Sequence, residues 1–199
     1  MFYEEQFRNE LAHRDGLDGQ FVVEVRCSSD DEGLRAKWAA DLPKLGKKWS
    51  KYRFGIVMPA GQRNLAVVLL QERVDLPLVV VIFTSLGRAL AHVHAAGKLH
   101  GDFKLLNLVR MPDGTWRIID LDGAVAIGAP IGAKALSTAF MPPEATHLAG
   151  DEVLFRVPKK GAPTPYELLP AHPTLDLWSF FVVLVSVGSS VGSSCWFVV

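Results

Sequence analysis

His100-Gly101-Asp102-Phe103-Lys104-Leu105-Leu106-Asn107, followed by Ile118-Ile119-Asp120-Leu121-Asp122, is the stretch on which the reading of this chain turns. It sets an acid, a lysine and an amide on one short loop. A second acid then arrives at the end of an apolar run. Between them, residues 106–110 and 116–119 read as two strands joined by Pro112-Asp113-Gly114, a turn with a hairpin signature. Asn107 and Asp120 stand 13 positions apart (120 − 107), a spacing that a strand–turn–strand ribbon fills. A carboxylate fit to receive a hydroxyl proton, a cation fit to steady an anion and two oxygen donors fit for magnesium are then expected around one pocket.

Working outward, residues 76–96 place Ile82, Leu86, Leu90 and Val93 at helical spacing, with Gly97 ready to end the helix. Residues 54–58 read as a strand stopped by Pro59 and Gly61. Residues 34–40 read as a short helix and residues 21–25 as a β-branched, aromatic strand. Residues 2–14 read as a helix with Phe2, Gln6, Phe7 and Leu11 on one stripe. After Asp122 the chain turns loop-like through Gly128, Pro130 and Gly132 to Pro142-Pro143. Residues 158–173 are Pro-rich and irregular, and residues 175–187 form a strongly apolar helix. No internal repeat is present. Short strands mixed with helices make the expected class α+β.

The 199 residues are 49% hydrophobic and 21% charged, which suits one full core or two small lobes. The formal net charge of +0 steers the chain toward neither nucleic acid nor anionic lipid. Cys27 and Cys195 are far apart, so no disulfide framework is expected. They fit a reducing, cytoplasmic setting. The polar, acidic first ten residues do not read as a signal peptide. Residues 180–187 are apolar, but Gly188-Ser189-Ser190-Val191-Gly192-Ser193-Ser194 interrupts them before Cys195-Trp196-Phe197-Val198-Val199. A span needs about 20 apolar residues, so a buried helix followed by a tail is expected rather than a membrane segment. Lys44, Lys47, Lys48 and Lys51 around Trp49 and Tyr52 read as a solvated loop rather than a nucleic-acid surface. His92 and His94 point to different sides of their helix and read as structural rather than as a metal pair.

In motif order, most of the chain resembles the eukaryotic-type protein kinase catalytic domain, serine/threonine-like. Residues 100–107 look like the catalytic loop and Asp120-Leu121-Asp122 like the metal-binding triplet. Met141-Pro142-Pro143-Glu144 looks like the motif closing an activation segment over 120–144. Asp176-Leu177-Trp178-Ser179 looks like the start of the buried helix beneath the catalytic loop. Met58-Pro59-Ala60-Gly61 is similar to the hinge that receives adenine through backbone groups. The resemblance implies a two-lobe fold. Residues 1–57 would be a partial N-lobe of a few strands plus one helix, 58–61 the hinge, and 62–199 an incomplete, mostly helical C-lobe.

It further implies ATP and magnesium as cofactors and a protein substrate as partner. Asp102 would take the substrate hydroxyl proton and Lys104 would neutralise the transferring phosphate. Asn107 and Asp120 would hold magnesium, and Met58 and Ala60 would meet the nucleotide. His100 would be structural within the loop. Asp176 would accept hydrogen bonds from the catalytic-loop backbone, and Glu144 would pair with a buried arginine. Glu10 stands where the regulatory-helix glutamate would be, although a helix rich in Glu4, Glu5 and Glu10 also reads as a solvated face. Asp122 reads as structural. Thr138 reads equally as a phosphorylation site or an ordinary loop residue.

The pattern has gaps. There is no glycine-rich loop and no strand lysine to face Glu10, and Gly101 replaces the arginine before the catalytic acid. The expectation is therefore a domain truncated at both ends, with weakened nucleotide capture. Two alternatives follow from the same residues. One is a pseudokinase-like interaction module. The other is a small-molecule phosphotransferase of the aminoglycoside or choline kinase type, which shares the His100-Gly101-Asp102, Asn107 and Asp120 pattern.

Overall fold

The computed structural model describes residues 3–41, 44, 46, 52–132, 138–150, 152–156 and 167–191. Lys47, Lys48, Trp49, Lys51, most of the Pro-rich stretch 158–166, and Cys195 with its neighbours lie outside the described residues. The architecture is mixed α+β, with small antiparallel sheets set against helices.

The longest helix, α4 (Leu76–Ala95), follows from its sequence in every part. Asp75 caps it by accepting a hydrogen bond from the Leu78 amide at 3.0 Å, and a proline occupies its first turn. Val79, Ile82, Phe83, Leu86, Ala89, Leu90 and Val93 form its buried stripe. Gly97 follows at φ +72° and donates to the His94 carbonyl at 2.9 Å. Among the described residues α4 is the one helix long and apolar enough to cross a membrane, yet its stripe is the main core of this fold.

Across that stripe lies α5 (Pro173–Val191), which contributes Val183 and Val187. Phe180 of α5 meets Phe83 edge-on at 5.3 Å and Phe103 at 5.7 Å. The same core takes in Trp116, Ile118 and Leu121. α5 is not buried all round, as its composition implied. Leu177 and Phe181 stay 51% and 55% exposed, because no described element packs over that face.

The predicted ribbon forms. β5 (Leu108–Arg110) pairs antiparallel with β6 (Trp116–Ile118), with Val109 opposite Arg117. β3 (Arg63–Asn64) adds to the other edge of β5. β4 (Lys98–Leu99) pairs with β7 (Val125–Ala126), and β8 (Thr146–Ala149) with β9 (Glu152–Phe155).

Among the described residues of 1–57, both helices read from the sequence form, α1 (Glu4–Arg14) and α2 (Glu32–Asp41), one more than the resemblance implies. The same segment also holds β1 (Cys27–Ser28), paired with the shortened strand β2 (Ile56–Val57). Residues 21–25 are not a strand. Their ladder reduces to a single bridge from Val22 to Ile118, because the Phe21 and Val22 amides close a turn onto the Asp18 carbonyl. The helix α3 (Leu65–Gln71) was not foreseen. Its signal is present, since Asn64 precedes an apolar run and accepts from the Val67 amide at 3.0 Å.

Candidate active site

The loop 100–107 follows β4 and owes its shape to buried hydrogen bonds. Asp176, fully buried in the first turn of α5, accepts from the His100 amide at 2.8 Å and the Gly101 amide at 2.9 Å. Its third partner is the His94 ring, with Nε2 at 2.8 Å. Gly101 has φ +77°, a left-handed conformation that glycine adopts without side-chain strain. An arginine at this position would strain that backbone. His100 is fully buried. Its Nδ1 accepts from the Asp102 amide at 3.1 Å, which leaves Nε2–H to donate to the Ile119 carbonyl at 3.1 Å. The histidine thus ties the loop to the residue before Asp120.

Within this frame Asp102 meets both of its expected neighbours. Lys104 Nζ forms an ion pair with Asp102 Oδ2. The Asn107 amide nitrogen donates to the Asp102 carbonyl at 2.9 Å and reaches Asp102 Oδ2 at 3.2 Å. This turns the amide oxygen, the atom suited to a hard cation, to the opposite side. The Asn107 carbonyl accepts from the Ile119 amide at 3.0 Å, so the ribbon returns Asp120 to the loop.

Asp120 is the one non-glycine residue with positive φ among the described residues, at +68°. Burial pushes its carboxyl up to about 6, and the negative charges of Asp122, Glu10 and Asp102 add to the rise. Two of these acids are already paired, Asp102 with Lys104 and Glu10 with Arg14. Among the described residues no three His, Cys, Asp or Glu side chains converge as a complete metal cage. Magnesium does not need one, because it is held by one or two carboxylates and keeps waters and phosphate oxygens as its other ligands. By residue type alone, Asn107 and Asp120 offer the amide and carboxylate oxygens that such a site uses.

Glu10 is not on a solvated face. It is 1% exposed, and Arg14 of the same helix pairs with it, Nε to Oε1 at 2.8 Å. The i,i+4 spacing was the available signal for this partner. Glu10 Oε2 is buried with no hydrogen-bond partner among the described residues. Glu144 departs from expectation. It is exposed, on the short 3₁₀ turn Pro143–Ala145, so no buried ion pair forms and its charge keeps its hydration. The motif around it still joins the site's support. Ser179, in the turn after Asp176, donates to the Phe140 carbonyl at 3.0 Å.

Met58 is half-buried against Val23, Val109 and Met111, a cluster that also takes in Ile119. Ala60 is exposed. A buried apolar cluster thus links Met58 to the neighbour of Asp120. His92 accepts from the Asp18 amide at 2.9 Å and His94 serves Asp176, so both histidines are structural. The backbone of Thr138 begins a short 3₁₀ turn. No known protein-family model matches the chain, and no curated protein shows significant similarity to it.

Proposed function

We propose that this chain is built on the protein kinase plan and transfers the γ-phosphoryl group of ATP to a serine or threonine hydroxyl of a protein. In this reading residues 1–57 are a partial N-lobe, 58–61 a hinge and 62–199 a C-lobe. The observation that carries it is the joint placement of Asp102, Lys104 and Asn107 on a loop clamped by Asp176, with Asp120 returned beside them by the ribbon. A carboxylate that touches both a cation and an amide suits a hydroxyl that must lose its proton as it attacks.

The substrate hydroxyl oxygen would bond to the γ-phosphorus as the bond to the β–γ bridging oxygen breaks. The hydroxyl proton passes to Asp102. Lys104 sits against Asp102 and can follow the charge onto the transferring phosphate. Asn107 and Asp120 would hold magnesium, which when bound neutralises phosphate charge. The half-buried Met58 would meet the adenine face, and the exposed Ala60 would offer backbone groups.

One observation favours a second reading, a non-catalytic interaction module. Glu10 is neutralised by Arg14 of its own helix, whose Nη1 also donates to the Val23 carbonyl. That arginine is therefore committed, and does not replace the strand lysine that would hold nucleotide phosphates.

Thermal melting with magnesium and millimolar ATP separates the two readings, with phosphate transfer to casein as the second readout. Mg-ATP should raise the melting midpoint. Asp102→Asn should keep that shift and lose transfer by roughly 10²–10⁴-fold. Asp120→Asn should lose both. No shift at millimolar Mg-ATP would overturn the phosphotransfer reading and leave the module. Transfer to an aminoglycoside or choline but not to casein would move the substrate class.

A further inference from the structure

The outward face of α4 presents Val80 and Val81, 57% and 61% exposed. They line a trough of about 580 Å³ that the β5–β6 turn closes on the other side. None of Asp102, Asn107 or Asp120 lines it. Its size falls within the roughly 300–1,000 Å³ of small-molecule pockets.

Its polar groups are unequally satisfied. Asp113 accepts from the Thr115 amide at 2.9 Å, the Thr115 hydroxyl at 2.6 Å and Arg117 Nη2 at 3.0 Å. Those Thr115 bonds, with the Arg117 charge, hold its carboxyl below the usual range. Arg117 is only 17% exposed, and its Nε is buried with no acceptor among the described residues. Arg88, on the α4 wall, is exposed and has no ion pair or hydrogen bond among the described residues. Two cations and one carboxylate thus line the trough, and that carboxylate already accepts three hydrogen bonds. The remaining wall combines an apolar strip, Val80, Val81 and the half-buried ring of Phe21, with the polar side chains of Gln20, Thr84 and Ser85.

We propose that this trough binds a small amphipathic carboxylate, with its apolar body on Val80, Val81 and Phe21 and its anionic end on Arg88 and the edge of the Arg117 guanidinium that lines the trough. A phosphate dianion is a poorer match, because the walls offer two guanidinium groups, one of them already shared with Asp113. A carboxylate needs no more than this.

The probe is dansyl-phenylalanine, an aromatic body with one carboxylate, titrated by fluorescence against the full chain. Its methyl ester is the neutral control. The acid should bind saturably and more tightly than the ester. Arg88→Glu should weaken it by roughly tenfold or more, and Val81→Asp should weaken both acid and ester. Both positions are exposed, so the melting midpoint reports that the fold is kept. The Mg-ATP melting shift should not change in either variant, which keeps this test separate from that of phosphotransfer. Failure of the acid to bind, equal binding of acid and ester, or affinity unmoved by both substitutions would overturn the proposal.

Discussion

Asp120 concentrates the stress of this molecule in one residue. Its backbone occupies the left-handed region at φ +68°, where a side chain with a Cβ is held only by its surroundings. Its carboxyl titrates near 6 because burial, and then Asp122 and Glu10, disfavour the charged form. An ordinary aspartate titrates near ~3.9, so the folded chain holds this proton more tightly than the unfolded chain does. That contribution to stability is full below about pH 4 and is lost as pH rises through about 6. The shift corresponds to an upper bound of about 3 kcal/mol, which partial exposure reduces to ~1–2 kcal/mol. Asp120→Asn removes the charge and keeps a residue type that tolerates the left-handed region. It should therefore stabilise the nucleotide-free protein by ~1–2 kcal/mol at pH 8 and by nothing near pH 4. Urea unfolding across pH reads this directly, and an equal effect at both pH values would contradict the charge argument.

At the scale of the element, the loop 100–107 has its backbone hydrogen bonds taken by side chains distant in sequence. Asp176 takes two of its amides from α5, and His100 ties it to the ribbon. A fully buried carboxylate with three donors is favourable only while all three remain. Asp176→Ala leaves two buried amides and the His94 ring unpaired and should cost ~3–5 kcal/mol. Asp176→Asn keeps the shape and at least one acceptor, and should cost less. The order Ala below Asn below wild type, read as melting midpoints, checks that hydrogen bonding and not volume sets the penalty. Equal loss in the two variants would point to packing instead.

For the molecule as a whole, stability rests on the layer where α4 meets α5, β6 and Phe103. Leu86 is fully buried at its centre. Leu86→Ala should cost about 2–5 kcal/mol, lowering the urea midpoint with little change in slope. The candidate site hangs from this layer through Phe103, which is 1% exposed and packs on Phe180 one turn from Asp176. Core damage at Leu86 is therefore expected to loosen the loop 100–107 as well as the fold. A large loss of stability with an unchanged Mg-ATP shift at low temperature would separate the two.

Local pattern alone was enough for α4, with its Asp75 cap, its stripe and Gly97, and for the β5–β6 ribbon with its turn. These depend on interactions within a few residues, so periodicity and turn chemistry carry them. The short spacing from Asp102 to Asn107 likewise implied one loop, and there the Asn107 side chain donates to the Asp102 carbonyl. Other features were decided by residues far apart in the chain. Residues 21–25 have strand composition, but the Asp18 turn and a single bridge to Ile118 limit them. Glu10 sits in a polar helix, and only packing buries it beside Arg14. Glu144 carries a motif and remains in water. Asp176 acquires its meaning from His94 and His100, more than 70 positions away (176 − 100 = 76). Burial and charge environment are sums over the whole surroundings of a side chain, and those surroundings exist only once the chain has closed on itself.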